Sequence, residues 1–250
     1  MLKMEHVDVF LDSDNGKRQV LKDINLTLEQ KKIYVMTGPN GGGKSTIAKV
    51  IMGMVIPSGG KISLDHTDIT GMNITERARA GIGYAFQTPP RFKGLTVRDM
   101  LELSARGNEI DPCSIMYDVG LCAQDYLDRD INTTFSGGEL KRVEIAGLLA
   151  RQLKVAIFDE PEAGIDLWSF QRLIETFDRM NRKSDAIMII ISHQERILRL
   201  ADQVILVKDG EIAEITGQEK ILEEISLLDS GCECKKNCIK GGNENVDCDR

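Results

Sequence analysis

A short glycine-rich run constrains this chain more than any other feature of its sequence. The run reads GPNGGGKS at residues 38–45, follows the apolar stretch 33–36 and precedes a segment with helical spacing. It satisfies the pattern G-x-x-x-x-G-K-[ST], in which a strand, a loop and a helix point backbone N–H groups at one place. Those N–H groups and the helix N-terminus together bind phosphate. The residues that we expect to contact the phosphates of a nucleotide are Gly38, Pro39, Asn40, Gly41, Gly42, Gly43, Lys44, Ser45 and Thr46.

Two acidic residues after a second apolar stretch lead to a catalytic hypothesis. The stretch 155–158 runs into Asp159 and Glu160, at the edge where open parallel sheets bind ligands. We expect Lys44 to reach the β- and γ-phosphates, and Ser45 and Asp159 to hold Mg²⁺, Asp159 directly or through water. Glu160 is then placed to orient or deprotonate the attacking water, although an ordinary pair of surface carboxylates is the alternative.

Apolar runs of strand length predict the fold class. Segments with helical spacing separate these runs, a pattern typical of an α/β protein whose mostly parallel sheet is covered on both faces. The runs are residues 33–36, 155–158, 186–191 and 204–207. Alternating apolar and polar residues at 7–10 and 24–28 predict an antiparallel β subdomain. The expected divisions are a nucleotide-binding α/β core in 1–93 and 150–228, an inserted helical subdomain in 94–149, and a flexible cysteine-rich tail in 229–250.

Charge and hydropathy argue against two classes of partner. The chain carries 32 Lys+Arg against 39 Asp+Glu, a formal net charge of -7, and has no basic block, so we expect no nucleic-acid partner. Its longest strictly apolar run, 186–191, is far shorter than the ~20 residues of a membrane helix, so we expect no direct membrane insertion. The N-terminal segment mixes acids into the positions where a signal peptide needs apolar residues, which favours a cytoplasmic protein.

Three further motifs acquire meaning from their order. They are Gln87, the Ser136-Gly137-Gly138 run that opens a helical stretch, and His193 after the apolar run 186–191. Taken singly, Gln87 is more often an ordinary polar residue, and His193 a satisfied histidine at a strand end. With the phosphate loop and the Asp-Glu pair, they stand in the order found in nucleotide-binding domains of the ATP-binding-cassette (ABC) superfamily. The chain resembles that superfamily over about residues 1–225.

The resemblance implies an ATPase with an ABC-type P-loop NTPase core that uses ATP and Mg²⁺. It implies catalytic roles for Glu160, His193 and Gln87, with Gln87 also a Mg²⁺ ligand. It further implies a nucleotide-dependent homodimer in which two copies pair head to tail. Each ATP would then be held by Lys44 of one subunit and by the Ser-Gly-Gly run of the other.

Within the superfamily, the sequences of three segments are most similar to those of the ATPase of the Suf iron–sulfur assembly system, the SufC family. The segments are residues 135–142, 159–166 and 192–198. This similarity implies a chain that drives conformational change in a SufB/SufD-like scaffold protein on which iron–sulfur clusters are built. The alternative is the soluble ATPase subunit of an ABC membrane transporter, which shares every nucleotide motif. A third possibility is a metal- or cluster-binding module, which the intact catalytic motifs argue against as a complete account.

Three features of the sequence keep two interpretations each. Asp166 lies beyond the catalytic glutamate, where the resemblance implies a contact with nucleotide across the dimer seam, but it is also suited to cap the following helix. Phe10 is the aromatic residue closest to an adenine-stacking position, and it is equally suited to the core. The tail thiols can hold Zn²⁺ or an iron–sulfur cluster, or belong to a solvated extension without a metal. These thiols are Cys232, Cys234, Cys238 and Cys248.

Overall fold

Two β-sheets and eight helices make up the described part of the computed structural model, which covers residues 1–13, 16–132 and 134–223. The strands are β1 (Leu2–Ser13), β2 (Gly16–Leu28), β3 (Ile33–Thr37), β4 (Gly59–Leu64), β5 (Thr67–Asp68), β6 (Ile82–Ala85), β7 (Val155–Asp159), β8 (Ile187–Ile191), β9 (Gln203–Lys208) and β10 (Glu211–Thr216). The helices are α1 (Lys44–Met52), α2 (Ile74–Arg79), α3 (Val97–Ala105), α4 (Pro112–Asp118), α5 (Ala123–Tyr126), α6 (Gly137–Leu149), α7 (Leu167–Lys183) and α8 (Glu195–Leu198).

The larger sheet has six strands in the order β10-β9-β3-β8-β7-β6. Strands β9, β3, β8, β7 and β6 run parallel, and β10 pairs antiparallel with β9 at one edge. Each of the four predicted apolar runs forms one of these strands. Strands β3, β7 and β8 are buried at every residue, as expected of strands covered on both faces.

Side-chain alternation along β3 divides the interior into two hydrophobic clusters. Ile33 and Val35 pack with the side of the sheet that meets α6 and α7. Tyr34 and Met36 pack on the opposite side, against α1 and the smaller sheet. Successive strand residues point to opposite faces, so one short strand anchors both halves of the core.

The smaller sheet is antiparallel, with the order β2-β1-β4-β5, and it contains both alternating segments that predict antiparallel strands. Helices α3 to α6 lie between β6 and β7 in the chain. The predicted fold class, an α/β core with an antiparallel β subdomain and an inserted helical subdomain, is therefore confirmed. Among the described residues, no helix is long and apolar enough to cross a membrane. The four tail cysteines lie outside the described residues.

Candidate functional site

The glycine-rich run forms a loop between β3 and α1 whose backbone requires glycine. Gly43 caps α1 in the left-handed conformation with φ 111°. Gly38 has φ 133°, and a Cβ atom there would lie 2.1 Å from the carbonyl oxygen of Val207 in β9. Because an L side chain fits neither position, the sequence pattern and the loop conformation depend on each other.

Lys44 folds back over this loop. Its Nζ donates hydrogen bonds to the carbonyl oxygens of Gly38, at 2.6 Å, and Pro39, at 2.9 Å. The side chain is buried, and this burial lowers the pKa of the ammonium, while Glu160 and Asp159 oppose that shift. Because the two hydrogen-bond acceptors are neutral carbonyls, the buried ammonium can exchange them for phosphate oxygens, which carry charge.

The loop borders a cavity of about 550 Å³ that is open to solvent. Its walls come from β2, the phosphate loop, the start of α1, Glu160 and the turn between β9 and β10. The bordering residues are Arg18, Gln19, Val20, Lys22, Asn40, Gly41, Gly42, Gly43, Lys44, Ser45, Thr46, Glu160, Asp209 and Gly210. Phe10 is not among them, and it is 44% exposed, so the core interpretation of Phe10 is wrong, whereas the adenine-stacking interpretation remains a prediction.

Asp159 ends β7 directly behind Ser45. The Ser45 hydroxyl donates to Oδ1 of Asp159 at 3.0 Å, and the Tyr84 hydroxyl donates to Oδ2 at 2.6 Å. Burial, followed by the interaction with Asp159, raises the pKa of Tyr84, which therefore remains a donor. A hydroxyl and a carboxylate at the rim of a phosphate cavity are the oxygen ligands that Mg²⁺ prefers, so these residues fit that ion.

Glu160 and Gln87 meet although 73 positions separate them in the chain. The amide Nε2 of Gln87 donates to Oε2 of Glu160 at 2.5 Å. Glu160 has φ 44°, an unusual backbone conformation for a residue with a side chain, and its N–H donates to Ile191 at 3.0 Å. Strained residues of this kind occur often at functional sites. The structure therefore joins two of the three side chains, Gln87 and Glu160, for which the resemblance implies a catalytic role.

His193 follows β8 and approaches the end of β3. Its Nδ1 lies 3.4 Å from the Thr37 hydroxyl. The side chain of His193 is exposed, but the surrounding protein still removes enough water to lower the pKa of the imidazole, and the Lys44 charge adds to that shift. The neutral form of the imidazole is therefore favoured near pH 7 in the nucleotide-free chain.

The Ser-Gly-Gly run lies at the start of α6. Ser136 caps the helix by accepting from the N–H of Glu139 at 3.2 Å, while the Glu139 carboxylate accepts from the N–H of Ser136 at 2.8 Å. In the described part of the chain, Ser136, Gly137 and Gly138 do not border the cavity at Lys44. The run therefore does not serve that cavity within one copy of the chain.

Asp166 acts as a helix cap in the single chain. Its carboxylate accepts hydrogen bonds from the N–H of Ser169 at 3.0 Å and from the Ser169 hydroxyl at 2.6 Å. This geometry supports the capping interpretation of Asp166, and a contact across a dimer seam remains a prediction.

Helix α6 also holds the strand end that leads into Gln87. Lys141 is buried and donates to the carbonyl oxygens of Phe86 and Gln87, the latter at 3.4 Å. Glu144 accepts from the N–H of Phe86 at 2.8 Å, and burial raises its pKa to about 7. These contacts of Lys141 and Glu144 form a clamp on the strand end that the sequence did not predict, because a lysine and a glutamate on a helix usually face solvent.

Several residues that border the cavity were not predicted from the sequence. Asp209 and Gly210 are distant in sequence, yet the N–H of Gly210 donates to Gly42 at 3.0 Å and its carbonyl accepts from Lys22 at 2.8 Å. These bonds tie the phosphate loop to β2. The Asp-Gly pair between two strands could have predicted a hairpin turn here, but it does not predict that the turn contacts the phosphate loop.

Comparison with known proteins identifies the class to which this fold and cavity belong. The family model described as ABC transporter matches residues 21–163. The chain is 38% identical over 251 residues to an uncharacterised ABC transporter ATP-binding protein of Methanocaldococcus jannaschii, covering 96% of this chain and 98% of the relative. The chain therefore belongs to the ABC transporter ATPase family.

A second relative supports the family, and a solved structure shares the fold. An energy-coupling factor transporter ATP-binding protein of Mesomycoplasma hyopneumoniae is 31% identical over 235 residues, covering 92% of this chain and 85% of the relative. The dimeric structure of a bacterial ABC transporter cassette superposes with a TM-score of 0.79 at 21% identity, covering 87% of this chain and 99% of that one. The protein is an ABC ATPase with ATP as its substrate. The names of these relatives point to transporters, and they give the iron–sulfur interpretation no support.

Proposed function

We propose that this chain is the ATP-hydrolysing subunit of an ABC transporter complex, in which two copies close around ATP and move a membrane partner. One observation carries the proposal. The phosphate loop and Glu160 border one cavity, and Oδ1 of Asp159 lies 3.0 Å from the Ser45 hydroxyl at its rim. Phosphate-binding, metal-binding and base-bearing groups thus converge at one place, as ATP hydrolysis requires.

In the proposed reaction, a water molecule attacks the γ-phosphorus, the bond to the bridging oxygen breaks, and ADP leaves with that oxygen. Lys44 exchanges its two carbonyl partners for β- and γ-phosphate oxygens. Glu160 takes the proton of the attacking water, and Gln87 holds the Glu160 carboxylate in place. His193 donates a hydrogen bond to the γ-phosphate. Ser45, Asp159 and Gln87 would hold Mg²⁺, which would supply positive charge against the phosphates.

The second half of the proposal is a homodimer that forms with nucleotide. The first N–H groups of a helix have no partner within the helix, and those of Gly137 and Gly138 stand at the start of α6. Because this helix start does not border the chain's own cavity, a phosphate would reach it only from a second copy. The dimeric assembly named for the bacterial cassette is consistent with this arrangement.

Light scattering on the Glu160→Gln chain tests the dimer. We expect the mass to double with Mg-ATP and to stay monomeric for Lys44→Ala. A mixture of two variants, Lys44→Ala and Gly137→Asp, supplies a sharper control. Lys44→Ala retains the start of α6, and Gly137→Asp retains the phosphate loop. Together the two chains can build one intact composite site, so ATP-dependent pairing should return in the mixture and be absent from each variant alone. No pairing in the mixture, with Glu160→Gln also monomeric, would refute the composite site.

A second candidate function is that of the ATPase of the Suf iron–sulfur assembly system. The observation that favours it is the similarity to the SufC family in the amino-acid sequence of residues 135–142, 159–166 and 192–198. The two candidates differ in their partner: a membrane-spanning subunit for the transporter and a SufB/SufD-like scaffold for cluster assembly. Purification of the native complex from detergent-solubilised cells, with and without Mg-ATP, followed by identification of the bound proteins, distinguishes them. A membrane subunit supports the first candidate, and a water-soluble scaffold replaces it with the second.

The four tail cysteines form a separate proposal, a site for Zn²⁺ or an iron–sulfur cluster. Its support is the spacing of the thiols in the sequence, with four ligands available to close a tetrahedral site. Elemental analysis for Fe and Zn, on anaerobically purified full-length chain and on the Cys232→Ser/Cys234→Ser variant, tests it. We expect stoichiometric metal in the first and loss in the second, with ATP hydrolysis unchanged. Equal, substoichiometric metal in both would refute a tail site.

A further inference from the structure

Tyr84 is a buried residue of β6 that reaches the end of the neighbouring strand. Its side chain is 7% exposed, and its hydroxyl donates to Oδ2 of Asp159 at 2.6 Å. Asp159 is itself 6% exposed, and its other oxygen accepts from Ser45. The carboxylate therefore has one oxygen directed at the phosphate loop and one held from behind by the tyrosine.

The strand register explains why a tyrosine makes this contact. In the parallel pairing of β6 and β7, Tyr84 lies beside Ile157. Asp159 is two residues further along β7 and so lies on the same face, about 6–7 Å beyond Ile157. A tyrosine side chain spans that length and ends in a donor. Phenylalanine would span nearly the same length without one.

Packing fixes the ring as well as the hydroxyl. The ring of Tyr84 lies against that of Phe86 with a centroid distance of 4.9 Å and an interplanar angle of 52°. A ring held this way gives the hydroxyl a single position, so the hydrogen bond selects one rotamer of the Asp159 carboxylate. A metal-binding carboxylate that is already oriented loses less conformational freedom when the cation arrives.

We propose that Tyr84 is a positioning residue for the metal site: its hydroxyl fixes Oδ2 of Asp159 so that Oδ1 faces Ser45 and a Mg²⁺ ion bound with the nucleotide. The proposal rests on the proposed role of Asp159 as a Mg²⁺ ligand. It assigns to Tyr84 no contact with nucleotide or water. Loss of the hydroxyl should therefore weaken the binding of the metal and leave the binding of the metal-free nucleotide unchanged.

The test measures ADP affinity by calorimetry in excess EDTA and in excess Mg²⁺, so that no hydrolysis intervenes. The ratio of the two affinities is the metal-dependent gain. For Tyr84→Phe, we expect the affinity in EDTA to match the wild type and the gain to fall about tenfold, the effect of one hydrogen bond to a charged group. Asp159→Asn should lose the gain, and Tyr84→Phe in that background should change nothing further.

A matched control exists in the same core. Tyr34 is buried, and its hydroxyl oxygen accepts from the N–H of Glu29 at 2.8 Å, outside the metal pair. Tyr34→Phe should leave the gain unchanged, even if it lowers the melting temperature. A wild-type gain in Tyr84→Phe, with the gain lost in Asp159→Asn, would overturn the role of Tyr84 alone. A wild-type gain in Asp159→Asn would overturn the metal role of Asp159 and the proposal with it.

Discussion

Replacing Arg77 should destabilise the fold without touching the nucleotide cavity. This arginine of α2 is 1% exposed, and it faces main-chain carbonyls instead of a carboxylate. Its guanidinium donates to Val50 at 2.6 Å, Ile51 at 3.0 Å, Thr70 at 2.9 Å and Met72 at 3.0 Å. Two of these carbonyls belong to the last turn of α1, whose negative dipole end favours a cation. Arg77 thus joins the C-terminus of the phosphate-loop helix to α2.

The magnitude for Arg77→Met follows from these contacts. The carbonyl of Val50 keeps a second donor, the N–H of Gly53, at 3.1 Å. A buried carbonyl left without its donor costs roughly 1–3 kcal/mol, so the loss at the other three carbonyls, those of Ile51, Thr70 and Met72, is about 5 kcal/mol. Burial of the methionine side chain returns about 2 kcal/mol. The expected decrease in the free energy of unfolding is therefore about 3 kcal/mol.

Equilibrium urea unfolding followed by circular dichroism measures this change. The matched control is Arg79→Met, an exposed arginine on the same helix, which should change the free energy of unfolding by less than about 0.5 kcal/mol. A decrease below about 1 kcal/mol for Arg77→Met, at an unchanged urea dependence, would refute the hydrogen-bond reasoning.

Three further predictions concern the cavity and the clamp on α6. Gly42→Ala should weaken ATP binding, since the added Cβ would lie 2.9 Å from a main-chain oxygen of β9; wild-type affinity by calorimetry would contradict this. Phe10→Ala should leave ATP affinity unchanged, whereas Arg18→Ala, which alters the cavity wall, should lower ATP affinity. A lower affinity in Phe10→Ala and an unchanged one in Arg18→Ala would show that the adenine of ATP binds near Phe10 and not at this wall. Burial raises the pKa of Glu144 to about 7, so between about pH 4.5 and 7 the folded chain keeps a proton on Glu144 that the unfolded chain loses. The contribution of Glu144 to the free energy of unfolding should therefore fall as pH rises through that range. In Glu144→Gln, the urea midpoint should depend less on pH in that range than in the wild type. Parallel plots of urea midpoint against pH for the two chains would contradict the raised pKa of Glu144.

The sequence was informative where one local pattern determines the structure. The apolar runs predicted β3, β7, β8 and β9 because strands buried on both faces leave no polar positions. The phosphate loop was predictable because its glycines serve the loop itself.

Contacts between distant segments were not predictable in this way. The bond from Tyr84 to Asp159 depends on the register of β6 against β7, which no local pattern specifies. The burial of Arg77 depends on four carbonyls from two segments that meet only in the folded chain. Phe10 was ambiguous for the same reason, since an alternating strand does not reveal what covers each face.

The role of Glu160 as the general base is tested most directly by measuring ATP binding and ATP hydrolysis separately in the Glu160→Gln chain. Loss of a general base typically slows a reaction about 10²–10⁴-fold, so steady-state hydrolysis should fall by that factor. ATP affinity measured by calorimetry should stay within a few-fold of the wild type, because Lys44 and the loop N–H groups are untouched, whereas Lys44→Ala should lose binding. Hydrolysis by Glu160→Gln at the wild-type rate would contradict the proposed chemistry at this cavity.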